Sequence, residues 1–159
     1  MPGSIDAEQI QQWIDDELVE NIEQVPDNAA EFNFAIEMSN ILVHVVQRQS
    51  DGPVIIGQQI EYSEDIRSRI QNLSEADRND LVARIRELLT EVPVIYGFHN
   101  QNGENVIFKD MSQIFLEYRI YPDGLSQHSL MTGLVDVWKA MRYLDDIVTL
   151  IDSVENKRV

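Results

Sequence analysis

The stretch that most limits what this chain can fold into is its last third. It reads Ile114-Phe115-Leu116-Glu117-Tyr118-Arg119-Ile120, then Tyr121-Pro122-Asp123-Gly124-Leu125-Ser126, then an amphipathic run to about Val154. That pattern predicts a strand, a tight turn with a cap, and one long helix. Leu130, Leu134, Val137, Trp138, Met141, Leu144, Val148 and Ile151 recur at three- and four-residue spacing and make one wide apolar stripe that must be buried. Met131, Val135, Ile147, Leu150 and Val154 widen the arc beyond one face. The excess raises the expectation of a homodimer, because contiguous apolar surface of that kind marks interfaces.

Upstream, alternating segments supply a surface for that helix. Phe32, Phe34, Ile36 and Met38 alternate with Asn33, Ala35 and Glu37, the period of a half-buried strand. Ser39-Asn40 is a short turn, so this strand and Ile41 to Val46 should form an antiparallel hairpin. The second of the two is almost wholly apolar, as for an inner strand covered on both faces. Ser50-Asp51-Gly52-Pro53 turns the chain into a third strand with Val54, Ile56, Ile60 and Tyr62, where Gly57 hints at a bulge or close approach. Before these lies a predicted first helix. It is capped by Ser4 or Asp6, carries Ile10, Trp13, Ile14, Leu18 and Ile22 on one face, and ends at Pro26-Asp27-Asn28.

In the middle, Ser63 can cap a short helix bearing Ile66, Ile70 and Leu73. Ser74-Glu75-Ala76-Asp77 opens another with the stripe Leu81, Val82, Ile85, Leu88 and Leu89. Arg78, Arg84 and Arg86 should face outward and pair with Asp80 and Glu87 along the helix surface. Strands follow over Val94 to Phe98 and Val106 to Phe108, joined by an Asn100-Gln101-Asn102-Gly103 turn. The expected class is therefore α+β: a mainly antiparallel sheet with helices packed on it, in the order α-βββ-α-ββ(β)-α. A chain of 159 residues suits a single domain, with an ordered core over about residues 6 to 154.

Charge is the strongest compositional signal. The formal net charge is −16, from 28 acidic and 12 basic side chains. Asp6, Glu8, Asp15, Asp16, Glu17, Glu20, Glu23, Asp27, Glu31 and Glu37 precede the first Lys or Arg, which is Arg48. Such a surface repels phosphates and anionic lipid, so neither nucleic acid nor membrane is expected as a partner. A basic partner would exploit the acidity. Adaptation to a salty cytoplasm would produce it too, and the scarcity of Lys (Lys109, Lys139, Lys157) fits that second, halophilic explanation. Met1-Pro2-Gly3-Ser4 lacks the basic-then-apolar pattern of a secretory signal, and no apolar run nears the roughly 20 residues of a membrane span. The expected location is cytoplasmic.

Chemistry-bearing patterns are few. Without cysteine there is no thiolate, disulfide or redox site. His44, His99 and His128 lie in different elements, and none has a ligand at metal spacing. Asp15-Asp16 and Asp145-Asp146 are helical neighbours pointing about 100° apart, which prevents chelation as a unit. No phosphate loop, nucleophile elbow or dinucleotide fingerprint occurs. The expectation is no enzyme, no cofactor and no metal. A helix–sheet pocket around His44, Tyr96 or Tyr118 is the alternative, as an enzyme or small-ligand site. Trp13 and Trp138 sit on helical stripes, as core or as partner anchors.

The Trp13-Ile14 helix, Phe32-Asn33-Phe34-Ala35-Ile36, the Ile41 to Val46 strand, the Leu81 to Leu89 helix and the Tyr121-Pro122-Asp123-Gly124-Leu125-Ser126 turn together resemble the type III secretion chaperone-like fold. The chain is similar to YbjN-type proteins and, more closely, to a family of uncharacterised archaeal proteins of that fold, over roughly residues 6 to 154. The resemblance implies a non-enzymatic, chaperone-like module, a homodimer that holds a partner polypeptide. It transfers no catalytic residues. The acidic composition is compatible with a haloarchaeal source. The candidate dimer or client interface is the Leu81 to Val92 helix with the Val94 to Phe98 strand, naming Leu81, Ile85, Leu88, Leu89, Val94 and Tyr96, with Trp13 and Trp138 as further anchors.

Overall fold

A computed structural model describes residues 5–156. It is a mixed α+β structure with a six-stranded antiparallel sheet and five α-helices among the described residues. The order is α1 (Ala7–Trp13), β1 (Asn21–Gln24), β2 (Phe32–Met38), β3 (Ile41–Gln47), β4 (Val54–Glu61), α2 (Glu64–Asn72), α3 (Glu75–Glu91), β5 (Ile95–His99), β6 (Gln113–Ile120), α4 (Gln127–Asp145) and α5 (Ile147–Asn156). The strands lie in the order β1-β2-β3-β4-β6-β5, so β1 and β5 are the edges. The chain divides into two compact units. The first runs up to Gln58 and includes Glu117–Lys139; the second is Gln59–Leu116 with the residues from Ala140 onward. The elements β4, β6 and α4 each contribute to both.

In the first unit, register decides everything. Ser39 and Asn40 both have positive φ, 48° and 67°, as a two-residue hairpin turn requires. The turn sets Met38 opposite Ile41 and carries the pairing out to Phe32 opposite Gln47. One face then collects Phe32, Phe34, Ile36, Met38, Ile41, Val43, Val45, Val54 and Ile56, all buried. The first half of α4 packs on this face at Gly133, where an added Cβ would lie 2.8 Å from both Ile56 Cδ1 and the Tyr118 ring. Trp138 Nε1 donates to the Met38 carbonyl at 2.9 Å. The β3 strand is not covered on both faces, as its apolar run implies. Leu42 is 45% exposed, and its row across β2 and β1 is polar, with Glu37 and Asn21. Gly57 pairs in regular register with His44 and forms no bulge there.

The first helix is shorter than its apolar spacing predicts. Asp6 caps it, its side chain accepting from the Gln9 amide at 3.0 Å, while Ser4 lies outside the described residues. It stops at Trp13. Asp15 Oδ1 accepts from the Glu17 amide at 2.9 Å, an aspartate turn that competes with helical bonding. Gln127 Nε2 donates to the freed Trp13 carbonyl at 3.1 Å. Ile22 therefore belongs to edge strand β1, paired with Ile36, and Leu18 is 50% exposed.

In the second unit the two serine caps form as expected, Ser63 accepting from the Ile66 amide and Ser74 from the Asp77 amide. Arg78 does not pair along α3. Its Nη1 donates to the carbonyls of Ile70, Gln71 and Leu73 and so caps α2. Arg84 donates to Ser153 Oγ, and Arg86 sits 6.0 Å over the Phe98 ring. No strand forms over Val106 to Phe108. Asn105 makes one bridge with His99, and Phe108–Asp110 is a 3₁₀ turn. The long C-terminal helix is broken at Asp146. The buried Tyr62 hydroxyl donates to the Leu144 carbonyl at 2.7 Å, and the backbone bonds flanking the break are long, 3.4 Å from Asp146 N to Arg142 O and from Leu150 N to Asp146 O. The break re-aims the apolar arc, so Ile147, Ile151 and Val154 are buried while Val148 is 40% exposed. Much of the apolar excess behind the dimer argument is thereby absorbed within the chain.

Burial, and secondarily the charge of Asp145, raises the Tyr62 pKa, so the phenol stays a neutral donor at all ordinary pH. Tyr62→Phe leaves the Leu144 carbonyl without this donor. It is expected to cost about 1–3 kcal/mol, read by chemical denaturation; an unchanged midpoint would mean that the carbonyl regains a helical amide and the break is not held by Tyr62.

Candidate functional site

The register of the first unit leaves its second sheet face open, and the cross-strand rows follow directly. One row holds Asn21, Glu37 and Leu42; the next Glu23, Ala35, His44 and Gly57; the third Asn33, Val46 and Ile55. Leu42 is exposed, and Ala35, His44, Val46 and Ile55 are half-buried. The two residues directly flanking His44 across the strands, Ala35 and Gly57, are small.

His44 is the most organised polar group on this face. Its Nδ1 lies 3.2 Å from Asn33 Oδ1, and Asn33 Nδ2 donates to Asp27 Oδ2 at 3.2 Å. Asp27 Oδ1 accepts from the Ala29 amide at 2.9 Å. The chemistry fixes every role. An ionised carboxylate only accepts, so the amide nitrogen of Asn33 must face Asp27, which leaves the amide oxygen toward His44. His44 Nδ1 must then carry a proton, and in the neutral ring Nε2 is an acceptor. The Ala29 amide first, and Asn33 second, hold the Asp27 carboxyl below its ordinary value. Beside this chain lies a concavity of about 380 Å³ lined by residues including Pro26, Asp27, Glu31 and Asn33.

The other histidines are placed differently. His99 stacks on Phe115 with ring centroids 4.5 Å apart and 27° between planes. The close approach of Phe115 depends on Gly97, where an added Cβ would come within 2.4 Å of Phe115 Cε1. The His99 Nδ1 is buried without a hydrogen-bond partner among the described residues. A smaller polar concavity of about 210 Å³ in the same unit is lined by Glu61, Tyr62, Gln101, Ser112 and Gln113. His128 is exposed in the first turn of α4. Tyr96 and Tyr118 are half-buried; Tyr118 lies in the first unit, as His44 does, and Tyr96 in the second. Among the described residues, no three His, Asp or Glu side chains are arranged to hold a metal ion, and no helix is long and apolar enough to cross a membrane.

Of the interface residues named from sequence, Leu81, Ile85 and Leu89 are buried at 0%, 0% and 2% exposure. They are core of the second unit and offer no surface, because α3 turns that stripe inward. Leu88, Val94, Tyr96, Trp13 and Trp138 are half-buried. Sequence reasoning missed Ile95 and Ile107, 50% and 66% exposed. It also missed Asn33 and Asp27. The Asn33–His44 contact was recoverable, since a two-residue turn at Ser39-Asn40 makes these residues diagonal neighbours; the position of Asp27 on its loop had no such signal.

Because Asp27 is held low, its contribution to stability is present above the ordinary carboxylate value of 3.8 and is lost as pH falls through the folded-state value. Asp27→Asn should therefore melt below the wild type at neutral pH, with the gap closing in acid below that value. A gap independent of pH would show that the carboxylate charge is not what holds the loop.

Comparison with known proteins gives the following. No curated protein matches. A crystal structure of an uncharacterized protein from Methanothermobacter thermautotrophicus is similar, with 18% sequence identity, a TM-score of 0.71, and coverage of 96% of this chain and 99% of that one. At that identity the likeness is one of fold. A family profile matches residues 6–148, nearly the whole of the described structure, and the chain belongs to the family of uncharacterized conserved proteins DUF2299.

Proposed function

We propose that this protein is a non-enzymatic interaction module that holds a segment of a partner polypeptide against the open sheet face of its first unit. The observation that carries the reading is the asymmetry of that sheet. One face is sealed, while the other presents an exposed Leu42 and, beyond the row that holds Ala35, His44 and Gly57, half-buried Val46 and Ile55. Apolar surface left wet forgoes about 25 cal/mol per Å², and contiguous patches mark interaction sites. The edge strand supports it. Val25 N donates to Asn33 O, so the odd residues of β1 face β2 while Ile22 and Gln24 direct their backbone groups outward, where an added strand could pair. The resemblance to the type III secretion chaperone-like fold, whose members commonly hold a partner polypeptide, points the same way.

Leu42→Asp tests this reading. Polypeptides retained from native lysate by the wild type should be lost from the variant while its melting curve is unchanged. Identical retention by both proteins would remove this face from the function.

A homodimer is a second reading, and it rests on the other edge of the sheet. There Ile95 is half exposed on β5, and Ile107 stands out in the same unit. Such a dimer would draw on Ile95, Val94, Tyr96 and Leu88, with Leu81, Ile85 and Leu89 acting only as support. Sedimentation at molar salt should give a dimer that Ile95→Asp converts to monomer. A wild-type monomer at micromolar concentration would end the reading.

A further inference from the structure

We infer that the polypeptide taken by the open face is cationic, a segment in which Lys or Arg alternates with apolar residues. This rests on the interaction reading above and names its partner class. The charge of the chain is not evenly spread. The first unit holds 14 acidic and 3 basic residues, and the second holds 14 acidic and 9 basic. The acids are shared equally, so the difference in net charge, −11 against −5, comes from the scarcity of cations in the first unit. Of the three cations in the first unit, Arg119 is committed to Glu117 at 2.9 Å, and Arg48 lies close enough to Asp27 to help hold it ionised.

The face itself is a set of acceptors arranged around apolar ground. Glu23 ends the row that contains Ala35, His44 and Gly57; Glu37 lies in the next row, between Asn21 and Leu42. Neither Glu23 nor Glu37 has a salt-bridge partner among the described residues. His44 adds Nε2, which the Asp27–Asn33 chain leaves as an acceptor in the neutral ring. Neighbouring strands lie about 4.8 Å apart, so Glu37 and His44, diagonal on adjacent strands, fall within reach of one long cationic side chain. Its aliphatic stem would lie over Ala35 and Gly57, where nothing large stands in the way, and an apolar neighbour would meet Leu42. An acidic segment would be repelled by these carboxylates, and a neutral one would gain no charge attraction from them.

Three synthetic peptides of equal length test this, with the same Leu and Val positions and with Lys/Arg, Gln or Glu between them, followed by fluorescence anisotropy. The basic peptide should bind about tenfold or more tightly than the Gln peptide, and the preference should shrink at high KCl. The double variant Glu23→Gln/Glu37→Gln should remove most of that preference while leaving Gln-peptide binding unchanged. Equal binding of the basic and Gln peptides would overturn the cationic assignment and leave the polypeptide reading standing. An unchanged preference in the double variant would assign the attraction to overall charge and overturn the site. Failure of all three peptides to bind, or binding indifferent to Leu42→Asp, would tell against the polypeptide reading itself.

Discussion

The two-residue turn at Ser39 and Asn40 is the constraint on which the first unit depends. A left-handed pair there costs local strain, because a side chain at positive φ crowds its own backbone. In return it fixes the register of β2 on β3. Side chains alternate with a period of two, so a slip of one residue would turn Phe34, Ile36, Val43 and Val45 outward and bury Glu37 and His44. The cost of that exchange is far larger than the strain of the turn. The sealed face, the open face, the Asn33–His44 contact and the rows of acceptors are all consequences of this one register.

Where helices stop is governed by a second recurring interaction, a side chain that claims a terminal carbonyl. Gln127 takes the carbonyl of Trp13, Arg78 those of Ile70, Gln71 and Leu73, and Tyr62 that of Leu144. Each satisfies a backbone group that a helix end leaves without a partner. At Trp13 and Leu144 the acidic residues just beyond, Asp15 and Asp146, add local bonds of their own, the first to the Glu17 amide and the second from the Thr149 hydroxyl. The helices end there by competition for hydrogen bonds although the apolar pattern continues.

That explains what could be read from the sequence and what could not. Hydrophobic period and turn chemistry are local, and they located β2, β3, β4, β6, the serine caps of α2 and α3, and the turn at Gly103. Carbonyl capping by a residue some 80 or more positions away is not local, so the first helix was extended over a strand and the last was left unbroken. The same limit applies to α3. Its stripe of Leu81, Ile85 and Leu89 is legible, but whether it meets the chain's own core or a partner depends on packing that no spacing encodes. His44 stood out as an oddity in an apolar strand, and only the register with Asn33 and the loop holding Asp27 make it part of an organised polar chain.

The proposed function rests on the open face of the sheet in the first unit. The sealed face supplies stability, and the other keeps apolar ground and a fixed set of acceptors in water. The most direct measurement is a backbone amide NMR titration of the intact chain with a Lys-containing apolar peptide. The account predicts shifts concentrated on Asn21 to Gln24, Asn33 to Glu37 and Leu42 to Val46, with α3 and β5 silent. Shifts centred on α3 and β5, or spread evenly over all acidic surfaces, would contradict it.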